Sequence, residues 1–501
     1  MSVISLLLAH TATVSLALVL TAFIFLYFYS KSSKSSNYNF PPGPPALPVI
    51  GNLNILDLHR PYKTLSKLSE TYGNVFTFHM GPKNTKAGPP ECNHYPVPLP
   101  HSAPRGCIVF GKGESWKVMR RFTLSTLRDF GMGKRTIEDR IIEESQRLVE
   151  VFQSHEGKPF DPQIIINSAV SNVICSIVFG DRFDYGDAQF LNLQRIVNEN
   201  VRLSVSPKTQ LYNMFPFLGF FLSDHKELRR NGKMFQGYFR NTYKDCKDSV
   251  DSNDLRSFID TFISRQREED ARNSNNYFHE DNMAITSANL FAAGTETTST
   301  TLRWGLLLMM KYPHIQDKVQ EEIESVIGRE RPPQAEDRKS MPYMDAVLHE
   351  IQRVGNVVPM NLLHETRGDT TFQGYRIPKG TPVIPLLSSV LSDKTQWETP
   401  HQFNPNHFLD AQGKFVKRDA FMPFSAGQCV REEQGPGRRV CLGETLAKME
   451  LFLFFTMLLQ KFHFRPPQEV SPEQLDLTPT PGLTSGPQPF QLCALSHCET
   501  L

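Results

Sequence analysis

The sequence predicts a mainly α-helical protein with small β-sheets, preceded by one N-terminal transmembrane helix. Three observations carry this. From Val3 to Tyr29 the chain is almost wholly apolar and bears no charge unless His10 is protonated. Beyond it, apolar residues recur at helical spacing in several long segments. Strand-like pieces gather between Thr370 and Leu387, bent by Gly374, Pro378-Lys379-Gly380 and Pro382.

The N-terminal run exceeds the roughly 20 apolar residues that span a bilayer as a helix. A cleaved signal would have a shorter apolar core, a basic start and a small-residue cleavage site. Here the basic residues Lys31 and Lys34 follow the run, which places that end in the cytosol and the N-terminus in the lumen. A polar stretch and Pro41-Pro42-Gly43-Pro44-Pro45 come next, a composition that stays extended and semi-rigid. The expected organisation is an anchor over 1–30, a linker over 31–50 and one domain over 51–501.

Within that domain, Ile137, Ile141, Leu148 and Phe152 share one face of a segment stopped by Gly157. Ile315, Val319, Ile323 and Val326 do the same between Pro313, placed as a first-turn proline, and Gly328. A long helix is expected from about Asp281 to Lys311 and another from Glu444 to Phe462.

A formal net charge of +2 gives no reason to expect a nucleic-acid partner. Eight scattered cysteines, with no CxxC pair, read as thiols in a reducing compartment and not as a disulfide framework. One of them stands apart. Gly437-Arg438-Arg439-Val440-Cys441-Leu442-Gly443-Glu444 opens the last long helix, and a thiolate ahead of a helix N-terminus is stabilised by the peptide dipoles and free N–H groups. Glycines beside it admit a flat ligand, and Arg439 is placed to answer a carboxylate on that ligand.

This GxRxCxG element resembles the haem-binding loop of the cytochrome P-450 superfamily, and four further signatures stand in the family's order. Trp116-Lys117-Val118-Met119-Arg120 is similar to its WxxxR, and Ala293-Gly294-Thr295-Glu296-Thr297-Thr298 to its oxygen-activation motif. Glu350-Ile351-Gln352-Arg353 is similar to ExxR, and Phe403-Asn404-Pro405-Asn406-His407-Phe408 to the element that locks it. With the anchor and proline hinge, the chain resembles a vertebrate microsomal family 2 enzyme over nearly its whole length.

The resemblance implies the cytochrome P-450 fold and a haem-thiolate monooxygenase holding heme b, with Cys441 as the iron ligand. Trp116, Arg120, His364 and Arg439 would hold the propionates, while Gly443, Ala293 and Gly294 would flank the macrocycle. Thr297 would stabilise bound dioxygen and Glu296 would relay protons. Glu350, Arg353 and His407 would form a structural core that does no chemistry. Phe291, Ala292, Val358, Met360 and Leu483 would line a pocket for lipophilic substrates such as fatty acids, steroids or foreign compounds. Electrons from NADPH would arrive through NADPH-cytochrome P-450 reductase, with cytochrome b5 as a further candidate partner, at the endoplasmic reticulum membrane with the catalytic domain cytosolic.

Two readings stay open on the residues alone. Lys117, Arg121, Lys134 and Arg135 form either a reductase-binding face or an ordinary solvated charge run. The segment Phe215 to Leu222 is either a second membrane contact or core packing. The chain also departs from the family in two places. About ten extra residues, around 428–437, separate Phe424 from Cys441, and Gln434 stands where the family has phenylalanine. Proline-rich residues 84–106 replace a longer regular stretch. These departures define the alternatives to the monooxygenase: a degenerate anchored relative with impaired haem binding or turnover, and a haem-thiolate isomerase, against which the Glu296-Thr297 pair argues.

Overall fold

The computed structural model describes residues 14–15, 17–22, 39–81, 108–130, 135–272, 277–425 and 439–497. The expected departures at 84–106 and 428–437, and Lys134, lie outside these residues. So does most of the expected anchor. Residues 14, 15 and 17–22 are helical, with Val14, Leu18, Val19 and Leu20 exposed. No helix among the described residues is long and apolar enough to cross a membrane.

The chain divides into two compact units, one from 1–96, 207–222 and 362–385, the other from 97–206, 223–361 and 386–501. In the first, helix Pro61–Tyr72 accompanies two antiparallel two-stranded sheets. Strand β1 (His364–Glu365) pairs with β4 (Pro382–Val383), and β2 (Thr370–Phe372) with β3 (Tyr375–Ile377). Strands β2, β3 and β4 fall in the Thr370–Leu387 stretch that the Gly and Pro punctuation predicts, whereas β1 precedes it; each is two or three residues long. The proline-rich stretch is tied down in this unit: the Thr77 N–H donates to Pro42 O at 2.8 Å and Asn52 Nδ2 to Pro45 O at 2.9 Å. Phe217, Phe220 and Phe221 lie in and beside the short 3-10 turn Pro216–Phe220 and are 76, 84 and 82 % exposed. Core packing is therefore not their role.

The second unit is built on helix Glu280–Lys311. Its first turn carries Glu280 and Asp281, which suit the positive end of the helix dipole. Pro313 prevents its continuation and starts helix Pro313–Val326 at the first position, with Gly328 beyond it as expected. Helices Gln163–Val178 and Asp224–Lys247 pack against the central helix most extensively, and Pro342–Gly355 and the last helix Glu444–Lys461 join them. From Ile166 to Val178 every residue is buried. Gly305 lets the last helix come close, since a Cβ there would stand 2.7 Å from Phe455. Strand β5 (Phe462–Arg465) pairs antiparallel with β6 (Cys493–Ser496) and closes this core.

Candidate active site

Gly443 caps the last helix, and Cys441 stands two residues before that cap. Cys441 is an exposed residue, yet enough protein surrounds its sulfur for burial to push the thiol up. The Gly443 N–H pulls it back down, the Glu444 carboxylate opposes that pull, and Arg120 and the Glu444 N–H assist it. The Cys441 N–H donates to Phe424 O at 3.3 Å, and Lys448 Nζ stands 5.6 Å from the Phe424 ring. Phe424 thus docks on the cysteine loop although residues 426–438 intervene in the sequence.

Helix Gly113–Asp129 brings Trp116 and Arg120 to the same place. Trp116 Nε1 donates to Ile108 O at 3.0 Å, which fixes the buried indole. The Arg439 guanidinium lies 3.9 Å from the Trp116 ring centroid and donates to Gly111 O at 2.6 Å. Arg120 Nη2 donates to Val440 O at 2.6 Å and makes no ion pair among the described residues. Burial pulls the Arg120 pKa down, and the neighbouring Cys441 opposes this. A hollow of about 470 Å³ is lined here by Trp116, Lys117, Arg120, Arg121 and Leu124.

The central helix is buried along most of its length, but Ala293 in its middle is exposed and Thr297, one turn on, is half-buried. Thr297 Oγ1 donates to Ala293 O at 2.9 Å, as mid-helix hydroxyls do, and keeps acceptor capacity for another partner. Thr298 Oγ1 donates to Glu450 of the last helix at 3.3 Å, which ties the two helices together through buried side chains. Gly294 faces elsewhere: a Cβ on it would stand 2.5 Å from Ile174 Cδ1, so its smallness serves helix packing. Glu296 accepts from Thr484 Oγ1 at 2.9 Å and from Thr300 Oγ1 at 3.4 Å. Burial pushes its carboxyl up, while Thr484, Arg303 and Thr300 hold it down.

Glu350, Arg353 and His407 are brought together in the buried core. Arg353 Nε and Nη2 donate to Glu350 at 2.8 and 2.7 Å. His407 Nδ1 stands 3.1 Å from Glu350 Oε1, and the Asn404 N–H donates to the same oxygen at 2.8 Å. The Phe-Asn-Pro element therefore fastens the pair through a backbone donor as well as through His407.

The pocket residues divide. Phe291 is fully buried and meets Phe235 and Phe239 edge-on, with centroids 5.9 and 6.3 Å away, so it packs the helix interface. Ala292, Val358, Met360 and Leu483 are partly accessible. The Ser485 N–H donates to Val357 O at 2.8 Å and Thr484 reaches Glu296, which draws these segments together. His364 lies in β1 of the first unit, opposite Val383. Lys117 pairs with Glu114, while Arg121 and Arg135 are exposed. Thr484, Arg303 and Glu450 were not singled out by sequence reasoning. Only Arg303 had a local signal, its i+7 spacing from Glu296.

The residues present fit haem. An exposed cysteine ahead of a helix N-terminus lies with the Arg120 and Arg439 guanidiniums and the Trp116 ring. The central helix leaves one turn open at Ala293.

A family profile described as Cytochrome P450 matches residues 98–494. The chain is 49% identical over 474 residues to Cytochrome P450 2K1 of Oncorhynchus mykiss, covering 91% of this chain and 92% of that protein. It is 46% identical over 471 residues to Cytochrome P450 2F2 of Mus musculus, covering 90% and 93%. It is 45% identical over 470 residues to Cytochrome P450 2C23 of Rattus norvegicus, covering 90% and 92%.

Proposed function

We infer that this chain, which belongs to the cytochrome P450 family, inserts one oxygen atom from O₂ into lipophilic substrates with electrons passed from NADPH by a flavoprotein reductase. Haem-thiolate monooxygenase chemistry is what the family supports in general, and the mainly helical body with small sheets is its fold. The observation that carries the reading is the exposed Cys441 ahead of the last helix, with Arg120 bonded to the neighbouring Val440 O and Arg439 stacked on Trp116.

When bound through Cys441, heme b supplies dioxygen activation, which thiolate donation favours. Arg120 and Arg439 would hold its propionates, which are costly to bury without partners, with the Trp116 ring placed beneath Arg439. Ala293 leaves room above the ring. The Thr297 hydroxyl holds a proton at Oγ1, and Glu296 passes protons inward. Ala292, Val358, Met360 and Leu483 exclude water around an apolar substrate, while Phe291 supports them from behind. Glu350, Arg353 and His407 fix the frame.

Residues 1–30 anchor the protein in the endoplasmic reticulum membrane with the N-terminus lumenal, and 51–501 act as one cytosolic catalytic domain. The exposed Phe217, Phe220 and Phe221 support a second bilayer contact. Exposed Arg121 and Arg135, with Lys117 and Lys134, offer the reductase and cytochrome b5 a basic face. The degenerate alternative draws on the insert before Cys441; the Cys441–Phe424 hydrogen bond favours an intact site.

The test is turnover of lipophilic substrates by membranes containing the chain and NADPH-cytochrome P-450 reductase, under ¹⁸O₂. One labelled oxygen per product, lost in Cys441→Ala, supports the reading. A wild type that consumes no NADPH and labels nothing contradicts it.

A further inference from the structure

Glu296, Thr300 and Arg303 stand at i, i+4 and i+7 on one stripe of the central helix, and the loop Thr480 to Gly486 lies along that stripe. Thr484 donates to Glu296, and Trp304 Nε1 donates to Ser485 O at 2.9 Å. A Cβ on Gly486 would stand 3.6 Å from Thr300 Cγ2 and 3.9 Å from Arg303 Nη1, so the guanidinium lies against the loop where it lacks a side chain.

Arg303 is only 8 % exposed. Its Nε is buried with no hydrogen-bond partner, and it makes no ion pair among the described residues. The charges that bear on it are those of Glu296 and of Asp161, which is exposed. A buried cation with an unspent N–H is costly unless water serves it, and a buried water commonly makes about three hydrogen bonds. Glu296, Thr300, Thr484 and Arg303 supply such partners in a row.

We propose that Arg303 is the positioning residue for proton supply, holding Glu296 as a carboxylate beside a hydrated seam that runs past Thr300 to the surface at Asp161. This deepens the monooxygenase reading and rests on it. Protons then reach Glu296 along that seam. The groups facing Glu296 are Arg303 and the hydroxyls of Thr300 and Thr484, so Arg303 is the cation that sets its charge.

The test is infrared titration of the full-length protein in membranes, with the protonated-carboxyl absorption of Glu296 identified by its loss in Glu296→Gln. Arg303→Gln removes the charge and is expected to raise the titration midpoint by about one pH unit or more, the effect typical of a neighbouring opposite charge. Arg303→Lys is expected to restore most of it. The acid limb of NADPH-driven turnover should move with that midpoint. A midpoint unmoved in Arg303→Gln overturns the proposal, as does a midpoint that moves equally in Arg303→Lys. Should Arg303→Gln fail to fold, the near-isosteric Thr300→Val decides, a smaller rise supporting the seam and none overturning it. Failure of the monooxygenase reading is distinguishable: the wild type would then lack a thiolate-type carbon monoxide band while Glu296 still titrates.

Discussion

Arg353 spends all five of its guanidinium N–H groups inside the protein, two of them on Glu350 at 2.7 and 2.8 Å. The other three go to the carbonyls of Leu391, Pro400 and Gln402. Arg353 is 2 % exposed and Glu350 is 0 % exposed, so neither charge has water to fall back on. This pair ties helix Pro342–Gly355 to the segment that leads towards the cysteine loop.

Removing one member leaves the other as an uncompensated buried charge. Arg353→Ala is expected to cost about 3–5 kcal/mol, read by urea unfolding, with loss of bound haem. Arg353→Lys should not rescue it, because an ammonium has three donors and cannot make the two-pronged contact. Wild-type stability in Arg353→Lys would refute this account of the pair.

Gly294→Ala tests the close approach of the central helix to helix Gln163–Val178. The new methyl meets Ile174 Cδ1, an overpacking that costs about 1–3 kcal/mol. Ile174→Val removes that atom, so the double variant should recover part of the loss. Strictly additive effects would show that the two sites do not touch.

Glu450 is 1 % exposed, accepts one hydrogen bond from Thr298, and has a second oxygen with no partner among the described residues. Burial pushes its carboxyl up to about 8. Between the ordinary carboxylate value and about 8 the folded protein keeps a proton that the unfolded chain releases. Stability therefore falls as pH rises through that window, by about 1.4 kcal/mol for each tenfold difference in proton affinity. Thermal unfolding at pH 5 and pH 8 should show the wild type losing more Tm than Glu450→Gln. Parallel losses would contradict it.

Trp116→Phe keeps a ring beneath Arg439 but deletes the N–H that Ile108 O accepts. The expected cost is about 1–3 kcal/mol from the orphaned carbonyl, with weakened haem retention on gel filtration. Unchanged stability and retention would remove Trp116 from the account.

Legibility from sequence followed the range of the interactions. Helix Pro313–Val326 was readable because its apolar period, its proline and Gly328 are local. The Glu350, Arg353 and His407 core was readable because one helix turn sets the first pair and the Asn-Pro turn delivers the histidine. The edge-on contacts of Phe291 with Phe235 and Phe239 were not readable, because helical spacing marks a buried face without naming what it meets. The close approach of Gly294 to Ile174 joins two helices far apart in sequence and has no local signature. Thr484 reaching Glu296 from 188 positions away has no local signature. The same holds for Phe424 closing on Cys441 across the intervening residues.

The most direct test of the central claim is the carbon monoxide difference spectrum of the dithionite-reduced full chain in membranes. A strongly red-shifted Soret band, abolished in Cys441→Ala, is the predicted result and assigns the thiolate ligand to Cys441. No haem band, or one typical of imidazole or neutral thiol, would contradict it.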